Sequence, residues 1–166
     1  VVSETTYIAH EDPVGRGAEN YIAMVDLEPF GFEGACEQIW LSTRTGGGYE
    51  VACIPFRAYG LALGDVVELR DSRFVERVVE RSGRRIFRVF FMEPRPRIDS
   101  RLALRNALQS GGFLSEWSGD RHIAIDIPGS SDPSPLFRAV QCEIDAGTAF
   151  WEWGDSEPFQ GPPTSF

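Results

Sequence analysis

An α+β fold is predicted, with an N-terminal bent antiparallel sheet or small barrel followed by a ferredoxin-like αββαβ half. Three observations predict it. Apolar residues recur in short, strand-like runs up to Met92. After Glu93-Pro94-Arg95-Pro96-Arg97 the apolar period lengthens to that of helices. Between two apolar runs, Gly64-Asp65 supplies the turn chemistry of a sharply bent sheet. The divisions that follow are a barrel-like half over 1–93, an αββαβ half over 98–153 and a Pro- and Gly-rich, flexible tail over 154–166.

Asn20–Leu27 alternates well enough to read as a strand, apolar on much of both faces. Residues 28–34, EPFGFEG, form a turn-rich loop holding two aromatic rings. Ala35–Thr43 is the next strand, with Trp40 expected in the barrel core, where truncation to Ala would cost about 3–5 kcal/mol. Thr45-Gly46-Gly47-Gly48 reads as a hairpin turn, because no Lys-Ser/Thr follows to make a phosphate loop. Val51–Ile54 reads as a buried strand ended by Pro55, residues 57–63 as a crossing loop, and Val66-Val67 as the start of another strand. Two runs of Val, Phe and Ile flank Ser82-Gly83, so Arg73–Met92 reads as a hairpin.

Past the Pro-rich joint, Asp99 or Ser100 can cap a helix with Leu102, Leu104 and Leu108 on its apolar side and Gly111-Gly112 at its end. Phe113–Trp117 and His122–Ile127 form a hairpin around Ser118-Gly119-Asp120. A second helix starts near Asp132 or Ser134, carries Pro135 in its first turn and turns Phe137, Val140 and Ile144 to the core. Thr148–Trp153 is the last strand.

The stretch IPFRAYGLALGDVV, with QIW upstream and FVERVVERSGRRIFRVFF downstream, resembles the bacterial domain-of-unknown-function 4265 family, over about residues 36 to 153. The resemblance implies a shared fold. It brings no established reaction and no catalytic residue.

Composition narrows the chemistry. With 42% hydrophobic and 12% aromatic residues in 166, the chain can bury a sizeable core. No apolar run reaches the ~18 residues of a membrane span, and the opening VVSETTYIAHEDP lacks the basic end and apolar centre of a signal peptide. A bacterial, cytoplasmic protein is expected, with Cys36, Cys53 and Cys142 as reduced, buried small hydrophobes. All 16 basic residues are arginine, which excludes a Walker lysine, a Schiff-base lysine and a lysine general base. The net charge of −9 is unevenly spread: −7 over residues 1–56, +5 over 57–105 and −7 over 106–166. Such a chain repels bare nucleic acid and attracts a basic partner.

Catalytic constellations are thin. His10 and His122 are the two histidines, and His122 with Asp120 or Asp126 and Cys142 is the sole set that could imitate a nucleophilic triad. The His and Cys residues are too scattered for zinc, and no pair among the 25 acidic residues is singled out for glycosyl transfer. No cofactor, metal or catalytic residue is expected.

The function expected is therefore that of a non-enzymatic acidic binding protein: an immunity protein that neutralises a bacterial toxin by covering its basic cleft. Aromatic anchors stand beside acids twice, as Glu28, Phe30, Phe32, Glu33 and as Trp151, Glu152, Trp153, Asp155, Glu157. On the last strand, alternation sends Trp151 and Trp153 to one face and Glu152 to the other. Two alternatives stand beside this reading. One is a nucleic-acid or nucleotide module using Arg77, Arg81, Arg84, Arg85 and Arg88 on the 73–92 hairpin; the other is an enzyme with a non-obvious carboxylate or cysteine site.

Overall fold

A computed structural model describes residues 4–92 and 100–155, with ten strands, two α-helices and a short 3-10 turn among them. Five strands close into a barrel: β2 (Tyr21–Asp26), β3 (Ala35–Thr43), β4 (Tyr49–Val51), β5 (Val66–Arg70) and β6 (Phe74–Glu80). Neighbours are antiparallel, and a single parallel bridge, Met24 to Phe74, joins β6 back to β2. Two register shifts between β5 and β6 supply the bend that closure needs. A short β1 (Thr6–Ile8) adds in parallel to the first half of β3.

The barrel fills with Ala23, Val25, Leu27, Ile39, Leu41, Val51, Val67 and Val75. Parity decides what points inward. On β3 the inward residues are Glu37, Ile39 and Leu41, so Trp40 falls on the opposite face and is half-buried, with the Arg16 guanidinium over its ring. The expectation of Trp40 in the barrel core is thereby corrected.

The second sheet has the order β10-β7-β9-β8, built from β7 (Arg85–Phe91), β8 (Ser115–Ser118), β9 (His122–Ile127) and β10 (Ala149–Trp153). All its neighbours are antiparallel. With α1 (Arg101–Gly111) and α2 (Ser134–Asp145) it makes a complete βαββαβ ferredoxin-like unit. Leu104, Leu108, Leu136 and Val140 from the helices pack on Phe87, Val89, Phe91, Ile123, Ile125 and Ile127. Phe137 and Ile144 are partly buried against the same cluster, whereas Leu102 is 63% exposed. Gly112 closes α1 in the left-handed conformation.

Two expectations fail on pairing. β6 and β7 do not form a hairpin: β6 pairs with β5, and β7 lies between β10 and β9. The chain changes sheet between Glu80 and Arg85, upstream of the joint read at 93–97, which lies outside the described residues. Asp65 drives the departure by accepting the Ser82 N–H at 2.8 Å and the Arg81 guanidinium at 3.3 Å. The sequence IFRVFF of β7 is buried on both sides, as suits a central strand. Likewise, the strand read at Val51–Ile54 ends at Val51, and residues 52–56 continue as buried irregular chain.

The two modules meet through a third apolar cluster of Ile54, Phe56, Ala62, Ile86 and Ala124, with Ile8 and Val14 packed against it. The loop after β4 thus forms the floor of the barrel and the roof of the second sheet at once. Gly64, with φ +80, turns this loop back into β5, and a Cβ there would lie 3.2 Å from Ser82 Cβ. Gly64→Val should therefore cost at least the ~1–2 kcal/mol of a left-handed non-glycine residue. A melting temperature equal to the parent's would contradict this placement.

Candidate functional site

Glu37 is an acid on the apolar face of β3, fully buried inside the barrel end. A buried carboxylate must be met by donors. The loop after β4 provides three backbone N–H groups: Phe56 to Oε1 at 2.5 Å, Arg57 to Oε2 at 2.9 Å and Ala58 to Oε2 at 2.8 Å. The carbonyls of the same loop face the other way. Arg88, on β7 and 1% exposed, donates Nε–H to the Pro55 carbonyl at 3.1 Å and a second N–H to the Ala58 carbonyl. Residues 55–58 are thus held between a carboxylate from the barrel and a guanidinium from the second sheet.

His10 completes the arrangement. It lies in irregular chain beside exposed Glu11 and Asp12, yet its own side chain is buried, 4% exposed. Its Nδ1 stands 2.5 Å from Glu116 of β8, its Nε2 3.1 Å from Glu37, and its ring stacks on Phe56 at 4.4 Å. Glu116 also accepts the Val14 N–H at 2.8 Å. Both ring nitrogens face carboxylates, so both must carry protons and the ring is an imidazolium. Burial alone would lower its pKa; contacts with Cys53, Glu116 and Glu37 outweigh that and raise it to about 12. Burial works against the Glu37 anion too, yet hydrogen bonding and charge from His10, with Arg88 and the Phe56 N–H, hold its pKa below the usual carboxylate value. Cys53, beside this group, is fully buried, and burial pushes its thiol pKa up.

Next to the clamp an open cleft of about 240 Å³ lies between the modules. Sheet register builds one wall: Phe150, Phe90 and His122 are cross-strand neighbours, and Glu152, Arg88 and Ala124 form the adjoining row. The barrel side gives Phe32, Arg57 and Tyr59, and Trp151 borders the rim. Glu152 accepts from Arg88 at 3.1 Å and from the Tyr59 hydroxyl. Arg57 stacks over Phe32 at 5.2 Å and has no carboxylate partner among the described residues. His122 is 5% exposed. Burial first, then the positive charges of Arg57 and Arg88, push its pKa down to about 3, so it is a neutral ring.

The predicted partner residues divide between surface and structural positions. Phe32, Trp151 and Glu152 converge on this cleft although they are far apart in sequence. Glu28 and Glu33 are exposed beside it in the chain, and Phe30 packs on Tyr59 at 5.6 Å. Trp151 and Trp153 share the helix-covered face, both touching Phe87 and Phe137. Trp153 is half-buried and stacks with Arg85 at 3.7 Å, while Trp151 is 42% exposed. Asp155 binds Arg85 at 2.8 Å. Glu157 lies outside the described residues.

The arginines do not form a basic ribbon. Each pairs with a carboxylate: Arg77 with Glu68 at 2.6 Å, Arg81 with Asp65 at 3.3 Å, Arg84 with Asp126, Arg85 with Asp155 and Arg88 with Glu152. Nor do His122, Asp126 and Cys142 assemble. Asp126 is held by Arg84, and Cys142 is exposed on α2, contrary to its expected burial. Among the described residues no group of His, Cys, Asp and Glu could hold a metal ion, and no helix is long and apolar enough to cross a membrane.

No sequence motif marks Glu37, His10 or Arg57 as site residues, and Arg88 stands out only as a member of the arginine-rich 73–92 segment. An acid at an inward position of an otherwise apolar strand face was the available signal for Glu37. The other three depend on which loop crosses which sheet, and no local pattern carries that.

A family model described as "Domain of unknown function (DUF4265)" matches residues 37–151, more than half of the chain, and the chain belongs to that family. Glu37, the 55–58 loop, Arg88 and Glu116 all fall inside the match; His10 lies outside it. No curated protein matches the chain. Among solved structures, the chain is similar to one titled "Novel crystal structure of a hypothetical protein from Neisseria gonorrhoeae", at 18% identity and a TM-score of 0.60, over 89% of this chain and 100% of that one. That likeness shows the fold.

Removing the imidazolium leaves two buried carboxylates without their shared cation, so His10→Ala should cost about 3–5 kcal/mol, read by denaturant unfolding. The pH dependence has a definite sign. His10 has a folded pKa raised from 6.5 to about 12, so its contribution is complete below 6.5 and is lost as pH rises towards 12. Glu37, with a lowered pKa, contributes above 4.5, and its contribution is lost as pH falls through its folded value. Parent stability should fall on the alkaline side of neutrality, and His10→Gln should flatten that fall; equal slopes in the two proteins would contradict the assignment.

Proposed function

We propose that this member of the family is a non-enzymatic, cytoplasmic binding protein that holds a basic protein partner, in the manner of an immunity protein covering a toxin's basic cleft. The observation that carries the reading is the convergence, at one cleft rim, of the two aromatic-and-acid segments found in the sequence. Phe32 reaches it from the barrel, and Trp151 and Glu152 reach it from β10. Exposed Glu28 and Glu33 stand next to Phe32 in the chain.

Physical reasoning favours a protein partner over nucleic acid. Interface energy concentrates in a few aromatic anchors, and surrounding charge sets the encounter rate. Phe150 and Trp151 are 56% and 42% exposed on an edge strand, a surface a folded partner can cover. The net charge of −9 attracts a basic partner and repels a polyanion. The five arginines of the nucleic-acid alternative are already committed to carboxylates, which weakens that reading.

The test is co-expression and co-purification with the product of the adjacent gene. Rescue of a toxic neighbour and a stable complex are expected. Trp151→Ala should weaken that complex by about 2 kcal/mol. Glu28→Arg with Glu33→Arg should slow association and reduce its salt dependence, with folding changed by no more than about 0.5 kcal/mol. A neighbour that is harmless alone, or that stays lethal beside this protein, would overturn the reading.

A further inference from the structure

We propose that the cleft between the modules is a binding site for a small aromatic carboxylate: a planar ring bearing one negative charge. This inference is independent of the protein-partner reading and concerns what the cleft takes in when no partner covers it.

The charge balance of the lining selects the ligand. Arg88 is matched by Glu152 at 3.1 Å and also serves two loop carbonyls. His122 is neutral. Among the described residues Arg57 therefore remains as one cation without a carboxylate partner, in a cleft whose other charges there, Arg88 and Glu152, pair with each other. One guanidinium suits one carboxylate, which it can grip through two parallel N–H bonds. A dianion or polyanion would bring more negative charge than the lining can match, and Glu152 would oppose it.

The walls select a ring. Phe32, Tyr59, Phe90 and Phe150 surround the space, and the Arg57 guanidinium already lies over the Phe32 face at 5.2 Å. Aromatic faces and edges accept another ring by offset or edge-on stacking. The volume of about 240 Å³ lies below the ~300–1,000 Å³ of drug-sized pockets, so the ligand is small. The cleft is also prebuilt: the backbone of Arg57 is pinned by its N–H to Glu37 at 2.9 Å, and Tyr59 by its hydroxyl to Glu152. A pre-set site loses less entropy on binding.

Titration of the full chain with benzoate, phenylacetate and indole-3-acetate, followed by calorimetry and by the NMR resonances of the His122 ring, tests the proposal. Benzylamine serves as a cationic control and inorganic phosphate as an anion without a ring. At least one aromatic carboxylate should saturate the protein and shift the His122 signals. Arg57→Met should weaken it at least tenfold at an unchanged melting temperature, and Phe32→Leu should weaken it without abolishing it. Should Arg57→Met unfold, Arg57→Lys keeps the charge, loses the paired grip and should still bind several-fold more weakly. No saturable binding by any of the three carboxylates, equal binding of benzylamine or phosphate, or parent-like affinity in the Arg57 variants would overturn it.

Discussion

One buried carboxylate sets the geometry on which the rest depends. Glu37 sits where β3 should carry an apolar side chain, and an acid there survives only if donors surround it. The chain meets that demand by folding the loop after β4 over the barrel end, so that three successive N–H groups point inward. Pointing the N–H groups in turns the Pro55 and Ala58 carbonyls towards Arg88, buried on the opposite sheet. His10 then bridges Glu37 and Glu116, one from each module, with a single shared positive charge. Two anions and two cations, each drawn from a different element, hold the barrel against the ferredoxin-like sheet. Pairs of this kind need not add stability over an apolar core, but breaking one is costly. Their use here is positional: they fix one docking geometry.

That geometry makes the cleft. Arg57 lies within the pinned segment and Tyr59 directly follows it, and both line the cleft with His122 and Phe90. Gly154 belongs to the same construction. A Cβ at this position would come within 2.9 Å of the Arg88 guanidinium, and its backbone bonds both Gly60 and Ile86. The end of β10 and the loop after β4 are therefore tied to each other and packed against Arg88. A ligand or partner at the rim meets a surface supported from both modules.

Much of this was readable in the residues. The strand at 20–27 followed from alternation, the helices from their period and closing glycines, and the turn at Gly64-Asp65 from its chemistry. The alternation on β10 correctly kept Trp151 and Trp153 on one face. Errors arose where tertiary pairing overrides local pattern. Ser82-Gly83 looks like a hairpin turn, yet Asp65 captures the chain there and sends β7 to another sheet. Trp40 has the character of a core residue but the wrong parity on β3. His10 sits among polar residues whose surroundings, 27 and 106 positions away in sequence, no window contains. The cleft was partly legible: Phe32, Trp151 and Glu152 stand out in the sequence, whereas Arg57, Tyr59, Phe90 and Phe150 join them, and His122 takes its place there rather than in a triad, only through the crossing of the two modules.

The central claim is that Glu37 and Glu116 act as one unit through the His10 imidazolium. A double-mutant cycle on Glu37→Gln and Glu116→Gln, with stability measured by denaturant unfolding at neutral pH, tests it most directly. The account predicts strong non-additivity, with a coupling of about 1–3 kcal/mol, because the loss of either carboxylate already weakens what the imidazolium contributes to the other. Additive costs, within about 0.5 kcal/mol, would show two independent buried acids and would contradict it.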